Sequence, residues 1–377
     1  MMDANQFREF LKANGIDFYT GVPDSLLKSL CSCLKEHVRP ENNIIAANEG
    51  AAIGLAAGYH LATSRIPVVY MQNSGLGNTV NPLLSLTDRE VYNIPVLLIV
   101  GWRGEPGIKD EPQHVKQGKV TLSLLDAMGI PYCVLSDSSA EAYKQIRHAI
   151  SRIKENGEAY ALVVRKGTFE NYISSELPQK RSDEFPLGRE EAIGIVLDNL
   201  SKDISVVSTT GMISRELFEL RKVRGEGHGY DFLTVGSMGH ASQIALGIAL
   251  NKPDKIICCF DGDGATIMHM GSLAIVGQRA PRNYIHIVFN NGAHDSVGGQ
   301  PTVGLDIDIP EIAKACGYKT FHSVEDKNGI EKALNQTNEY PMLLEIKVHK
   351  GARRNLGRPT TTPLQNKEAF MKHLDED

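Results

Sequence analysis

The chain reads as α/β, two similar doubly wound parallel-sheet domains in tandem, and three observations predict it. Short apolar runs alternate with helical patterns along all 377 residues, the pattern of parallel strands covered by helices. Residues 167–188 break that alternation: Gly167, Pro178, Arg181, Ser182, Asp183, Glu184 and Pro186 stand there with little periodicity. The segments on either side then follow one order of events. Glu49-Gly50-Ala51-Ala52 opens a small-residue helix that leads through a strand to Asn73-Ser74-Gly75, and Gly239-His240-Ala241-Ser242 opens another that leads to Asp261-Gly262-Asp263-Gly264. Glu49 to Gly75 is 26 positions and Gly239 to Gly264 is 25. Small residues in a helix also serve close packing alone; the matched order is what argues for two like domains, at 1–166 and 189–377, joined by a linker at 167–188.

In chain order, the first domain's strands are expected at Ile16–Thr20, Asn43–Ala47, Ile66–Gln72, Ile94–Gly101, Pro131–Leu135 and Ala159–Arg165. The second domain's are expected at Ile204–Ser208, Phe232–Val235, Lys255–Phe260, Tyr284–Phe289, Tyr318–His322 and Met342–Val348. Each is a short apolar run of strand length.

Bulk composition narrows the function. Net charge is −5 from 40 basic and 45 acidic residues, with no long like-charge block, which argues against a nucleic-acid partner. The longest apolar runs, such as Ile94 to Val100, are too short to span a bilayer. Asp3, Arg8 and Glu9 precede any apolar segment, so no signal peptide is expected. Six cysteines stand at 31, 33, 133, 258, 259 and 316; Cys31-Ser32-Cys33 has no second Cys/His pair to complete a metal site. A soluble cytoplasmic protein with reduced cysteines, no nucleic acid and no membrane is the expectation.

The chemistry is concentrated in Gly262-Asp263-Gly264 and, beyond a second apolar strand, Asn290-Asn291. A carboxylate at one strand end and a carboxamide at the next are hard oxygen ligands suited to Mg²⁺. Gly262 and Gly264 let backbone approach a phosphate closely, and the helix starting near Ala265 offers free N–H groups to the anion. This spacing resembles the cofactor signature of the thiamine diphosphate enzymes. The resemblance covers nearly the whole chain and implies one domain gripping the pyrimidine ring and the other the diphosphate, from different subunits, hence a homo-oligomer of at least two chains. It further implies that Mg²⁺ is held by the side chains of Asp263 and Asn291 and the carbonyl of Ala293.

Glu49, after the strand Ile44-Ile45-Ala46-Ala47, stands where the family's glutamate protonates the aminopyrimidine; alone, a first-turn glutamate is an ordinary helix-dipole partner. Gly236-Ser237-Met238-Gly239 resembles the segment that bends the cofactor, with the Gly236 carbonyl on the 4′-amino group and Met238 between the rings. Thr210 and Gly211, following a strand, and Thr266 are expected at the diphosphate. The larger 2-oxo acid decarboxylases of the family carry a middle domain and a His-His pair; here there is no room for the first, and only His114 remains of the second. Their acidic residue after the second asparagine has no equivalent either. His114, His294 and Asp24 are therefore the alternatives for returning a proton to the product carbon.

The strings Gly21-Val22-Pro23-Asp24-Ser25-Leu26-Leu27, Ser296-Val297-Gly298-Gly299-Gln300-Pro301-Thr302 and Leu356-Gly357-Arg358-Pro359-Thr360-Thr361-Thr362-Pro363 look most like the phosphonopyruvate decarboxylases. That likeness implies decarboxylation of 3-phosphonopyruvate, a 2-oxo acid with a second anionic group. The sulfopyruvate decarboxylases are near relatives, often with the two halves on separate chains. Lys350, Arg353, Arg354 and Arg358 are expected to meet the second anion, which suits bidentate arginine contacts; failing them, Arg103, Lys116 or Lys119. A carboligase with the same cofactor and a non-catalytic Mg-nucleotide protein are the other readings, the last making Glu49 superfluous.

Overall fold

The computed structural model describes residues 1–174, 185–336 and 339–376; the part of the expected linker at 175–184 lies outside the described residues. The chain divides into two compact units, residues 1–178 and 179–377.

In the first unit, strands β1 (Tyr19–Gly21), β2 (Asn43–Ile45), β3 (Val68–Gln72), β4 (Leu97–Gly101), β5 (Tyr132–Val134) and β6 (Tyr160–Val164) form one sheet in the order β2-β1-β3-β4-β6-β5. Every pairing in it is parallel. β4 and β6 are buried at every position and β3 at all but Gln72, which is why they read as unbroken apolar runs. Alternate residues feed two cores. Val68, Tyr70, Leu97, Ile99, Leu162 and Val164 face one, and Val69, Met71, Leu98, Val100, Ala161 and Val163 the other.

The second unit contains β7 (Ser205–Ser208), β8 (Asp231–Leu233), β9 (Ile257–Gly262), β10 (Tyr284–Asn290), β11 (Ala293–His294), β12 (Gln300–Pro301), β13 (Thr320–Val324) and β14 (Met342–Lys347). Its main sheet runs β13-β14-β10-β9-β7-β8, again all parallel. Numbered within the unit and read from the β8 edge, that order is 2-1-3-4-6-5, the order of the first sheet. The two halves are the same doubly wound fold, as the matched sequence order implied. Each expected strand appears, some trimmed at their ends and others, such as β9 and β13, shifted along the chain. The antiparallel hairpin of β11 and β12, two residues each, carries no apolar periodicity and went unanticipated.

In both sheets the chain reverses its winding between the first and third strands, at β1/β3 and at β7/β9. The crevice outside the carboxyl ends of the strands at such a point is where open α/β sheets bind ligands. The loops singled out from the sequence leave the sheets there.

Candidate active site

In the second unit β9 delivers Asp263 to the first turn of the helix Asp263–Met268. Its carboxylate is 2% exposed. The donors that reach it are neutral: the Thr302 hydroxyl and the backbone N–H groups of Gly264 and Asn291. Burial lifts its pKa to about 6 against the pull of those hydrogen bonds. Gly304 closes over the same spot, and a Cβ there would stand 2.6 Å from Asp263 Oδ2 and 2.8 Å from Asn290 Oδ1. Asn290 donates to the Gly304 carbonyl and to Glu345 Oε1, both at 2.7 Å, which fixes the turn.

Asn291 sits with its Oδ1 accepting from Ala293 N at 3.0 Å and its Nδ2 donating to Asp295 Oδ2 at 2.8 Å. Asp295 Oδ2 also accepts from Arg189 Nη1 at 2.8 Å and from Gly351 N at 3.1 Å. Arg189 is itself gripped by Glu216 at 2.7 and 2.9 Å. The Asn290-Asn291 turn is thus tied to the start of the helix Arg189–Asn199 and to the loop after β14. Sequence reasoning missed Asp295, Thr302, Gly304 and Arg189; only the Ser296–Thr302 string hinted that this loop belonged to the site.

Around the turn lie groups suited to a diphosphate. The hydroxyls of Thr209 and Thr266 are buried with no partner among the described residues. Gly211, at φ 103°, begins the helix Met212–Val223, and the Thr210 hydroxyl accepts from Gly236 N at 3.2 Å. Gly236, Ser237 and Gly239 all have positive φ, 75°, 48° and 83°. For Ser237 this conformation is costly, the kind of strain that collects at ligand sites. The half-buried Met238 sits inside this turn, which packs on the helix Asp263–Met268: a Cβ at Gly239 would stand 3.1 Å from the Ala265 carbonyl. The His294 ring lies on Gly264, where a Cβ would stand 2.7 Å from Nδ1; burial pulls its pKa down to about 4.

In the first unit Glu49 opens the helix Glu49–Thr63, capped by Asn48, whose Oδ1 accepts from Ala51 N at 2.9 Å. Glu49 is buried and accepts from Asn78 Nδ2 at 2.7 Å. Gly75 gives it room, since a Cβ there would stand 2.5 Å from Oε1. Asp24, fully buried, accepts from Gln72 Nε2 at 2.7 Å and Leu26 N at 3.0 Å. Burial raises its pKa, with Gln72 and Arg103 opposing. Arg103 is held by Asp110 at 2.8 and 2.5 Å and by Ser25 at 2.7 Å. His114 is buried, and burial together with Arg103 depresses its pKa.

Arg353 was expected to face substrate, but its guanidinium is occupied by Glu190 at 2.9 Å, Glu219 at 2.5 Å and Asn355 at 3.1 Å. Two carboxylates, distant in sequence, claim it. Arg354 and Arg358 are exposed.

Comparison with known proteins is consistent with this arrangement. Residues 2–128 match the family described as "Thiamine pyrophosphate enzyme, N-terminal TPP binding domain" and residues 209–346 its "C-terminal TPP binding domain". The chain is 34% identical over 371 residues to the phosphonopyruvate decarboxylase of Streptomyces viridochromogenes, covering 94% of this chain and 91% of the relative. The chain belongs to the thiamine diphosphate-dependent 2-oxo acid decarboxylase family. This decarboxylase is also 32% identical over 391 residues to the phosphonopyruvate decarboxylase of Streptomyces hygroscopicus, 100% of this chain and 95% of the relative. The sulfopyruvate decarboxylase of Methanosarcina acetivorans matches at 29% over 390 residues, 97% and 96% of the two chains. It is an enzyme, a carboxy-lyase, and no helix among its described residues is long and apolar enough to cross a membrane.

Proposed function

We propose that this enzyme converts 3-phosphonopyruvate to phosphonoacetaldehyde and CO₂ with thiamine diphosphate and Mg²⁺. The observation that carries the cofactor site is Asp263, a buried carboxylate held by the neutral donors of Thr302, Gly264 and Asn291 and set beside carboxamides. Such a group calls for a cation. Mg²⁺ is held by Asp263, Asn291 and the Ala293 carbonyl, with Asp295 turning the Asn291 amide so that its oxygen stays free of the anion. Thr209, Thr210, Gly211, Thr266 and the Gly262–Ala265 backbone receive the diphosphate, and Gly236 and Met238 the pyrimidine side.

When bound, thiamine diphosphate supplies the nucleophilic carbon and the electron sink for the bond to CO₂. Glu49 holds a proton toward the aminopyrimidine. Asp24, whose pKa burial raises, is the group placed to pass a proton to the product carbon. His114 and His294, both depressed, are neutral near pH 7 and orient substrate by hydrogen bonding. Arg353 anchors the loop after β14, and Arg354 and Arg358, on the exposed segment that follows, meet the phosphonate.

The full-length likeness to two phosphonopyruvate decarboxylases supports the substrate; the likeness to a sulfopyruvate decarboxylase supports the sulfonate as second reading. The exposed stripe Ala51, Gly54, Leu55, Gly58 and Leu61 on one helix, open beside Gly54 and Gly58, supports packing against a second copy, so the active species is at least a dimer. Incubating protein, cofactor and Mg²⁺ with each keto acid and following CO₂ and aldehyde tests the reading. Release from sulfopyruvate alone transfers the assignment, an acyloin product makes it a carboligase, and no turnover of either acid rejects it.

A further inference from the structure

Inside the second sheet lies a polar cluster that the cofactor chemistry does not use. Cys259 and Asp261 are two apart on β9, and so share one face of the sheet. His286, on β10, is the register partner of Cys259. Their donor atoms lie within 4.8 Å of one another. Cys259 and His286 are 0% exposed and Asp261 1%, in the core that contains Ile257, Tyr284, Val288 and Tyr318. His286 Nε2 has no hydrogen-bond partner among the described residues. It stands 3.5 Å from Asp261 Oδ2, beyond the roughly 2.7–2.9 Å of a charge-assisted hydrogen bond. Asp261 Oδ1 meanwhile accepts from Gly262 N at 3.0 Å.

Two ligands of one tetrahedral ion, each bonded at about 2.0–2.3 Å, sit roughly 3.3–3.8 Å apart. The His–Asp separation falls in that window. The Tyr318 hydroxyl lies 3.2 Å from Nδ1. With the Nδ1 proton given to that oxygen, Nε2 is left as a lone-pair donor aimed into the cluster, the tautomer lock typical of metal-bound histidine. We propose that Cys259 Sγ, Asp261 Oδ2 and His286 Nε2 hold a transition-metal ion of the zinc class, distinct from the Mg²⁺ site, with a trapped water as fourth ligand. One thiolate, one imidazole and one carboxylate suit Zn²⁺ or Co²⁺ and not Mg²⁺. The ion pins β9 to β10 just before the two strands deliver Asp263 and Asn290-Asn291. The site is closed to solvent, so loading accompanies folding.

The test uses full-length protein expressed in zinc-supplemented medium, then dialysed and analysed for metal. Wild type and Asp263→Asn should each keep about one zinc per chain, and Cys259→Ser should keep at least about tenfold less. Tyr318→Phe should lose zinc to a competing chelator about tenfold more readily. Protein produced with cobalt should show thiolate-to-cobalt absorption that Cys259→Ser lacks. Wild type holding less than about a tenth of an equivalent would overturn the proposal. So would zinc that persists in Cys259→Ser but leaves with Asp263→Asn. If Cys259→Ser does not fold, wild type and His286→Asn decide: cobalt bound without a sulfur band, or retained unchanged in His286→Asn, rejects the site.

Discussion

Replacing Asp263 by asparagine should stabilise the cofactor-free protein while abolishing the cation binding proposed for it. Burial raises the Asp263 pKa from 3.8 to about 6. The folded state therefore binds this proton more tightly than the unfolded chain. The associated stability is fully present below about pH 4 and is lost as pH rises through about 6. A shift of just over two units is about 3 kcal/mol of destabilisation by the ionised carboxylate at pH 7.5, at roughly 1.4 kcal/mol per unit. Asparagine, which does not titrate, escapes it. For a unit of this size each kcal/mol moves Tm by about 2–4 °C, so in chelator at pH 7.5 the variant should melt about 6–12 °C above wild type, as an upper bound. At pH 5 linkage leaves about half of that difference. Other titrating groups are common to both proteins and cancel. Differential scanning fluorimetry at the two pH values, with and without thiamine diphosphate and Mg²⁺, reads all of this. Ligand should raise Tm of wild type and not of Asp263→Asn. A variant no more stable than wild type in chelator at pH 7.5, or an advantage independent of pH, would refute the reasoning.

Further outcomes follow from the same geometry. Glu49→Gln keeps the Asn78 contact and should bind cofactor nearly normally by calorimetry while turnover falls about a hundredfold or more. Asp295→Ala frees the Asn291 amide and leaves Arg189 with one carboxylate; Mg²⁺ affinity should fall about 10–100-fold, seen as the Mg²⁺ dependence of activity at saturating cofactor. Arg354→Ala should lower kcat/KM for phosphonopyruvate about ten- to a hundredfold, the scale of a charged hydrogen bond, and leave slow pyruvate turnover alone. Equal losses on both substrates would assign Arg354 to folding or cofactor binding.

What was legible in the sequence divides along physical lines. β3, β4, β9 and β10 are buried on both faces, so each had to be an uninterrupted apolar run, and each was readable as one. Asp263 and Asn291 were readable together because a single crossover of fixed length separates the ends of adjacent strands. Thr302 and Gly304 were not, because their approach depends on a loop whose course no periodicity encodes. The partners of Arg353 were not legible for a different reason. A cluster of cations announces charge but not the partner, and Glu190 lies 163 positions away. Asp295 was hidden in plain view, four residues beyond Asn291, since only the folded turn shows which amide it holds.

The shared sheet order turns one local device to two uses. In each unit a glycine follows the third strand, Gly75 after β3 and Gly264 after β9, and in each a side chain from elsewhere lies over it. Glu49 covers Gly75 and His294 covers Gly264, both closer than a Cβ would allow. These glycines are required less for backbone freedom than for the absence of a side chain where another segment's side chain sits against the strand end. Neither φ is positive, which removes the usual explanation. Gly75→Ala should therefore displace Glu49 without strain in its own backbone, and Gly264→Ala should displace His294. Because Glu49 is also held by Asn78, the first change should impair turnover more than folding: reduced activity with a near-native Tm supports that reading, whereas a stability loss of the same order as a core cavity, about 2–5 kcal/mol, would mean that Gly75 serves packing alone.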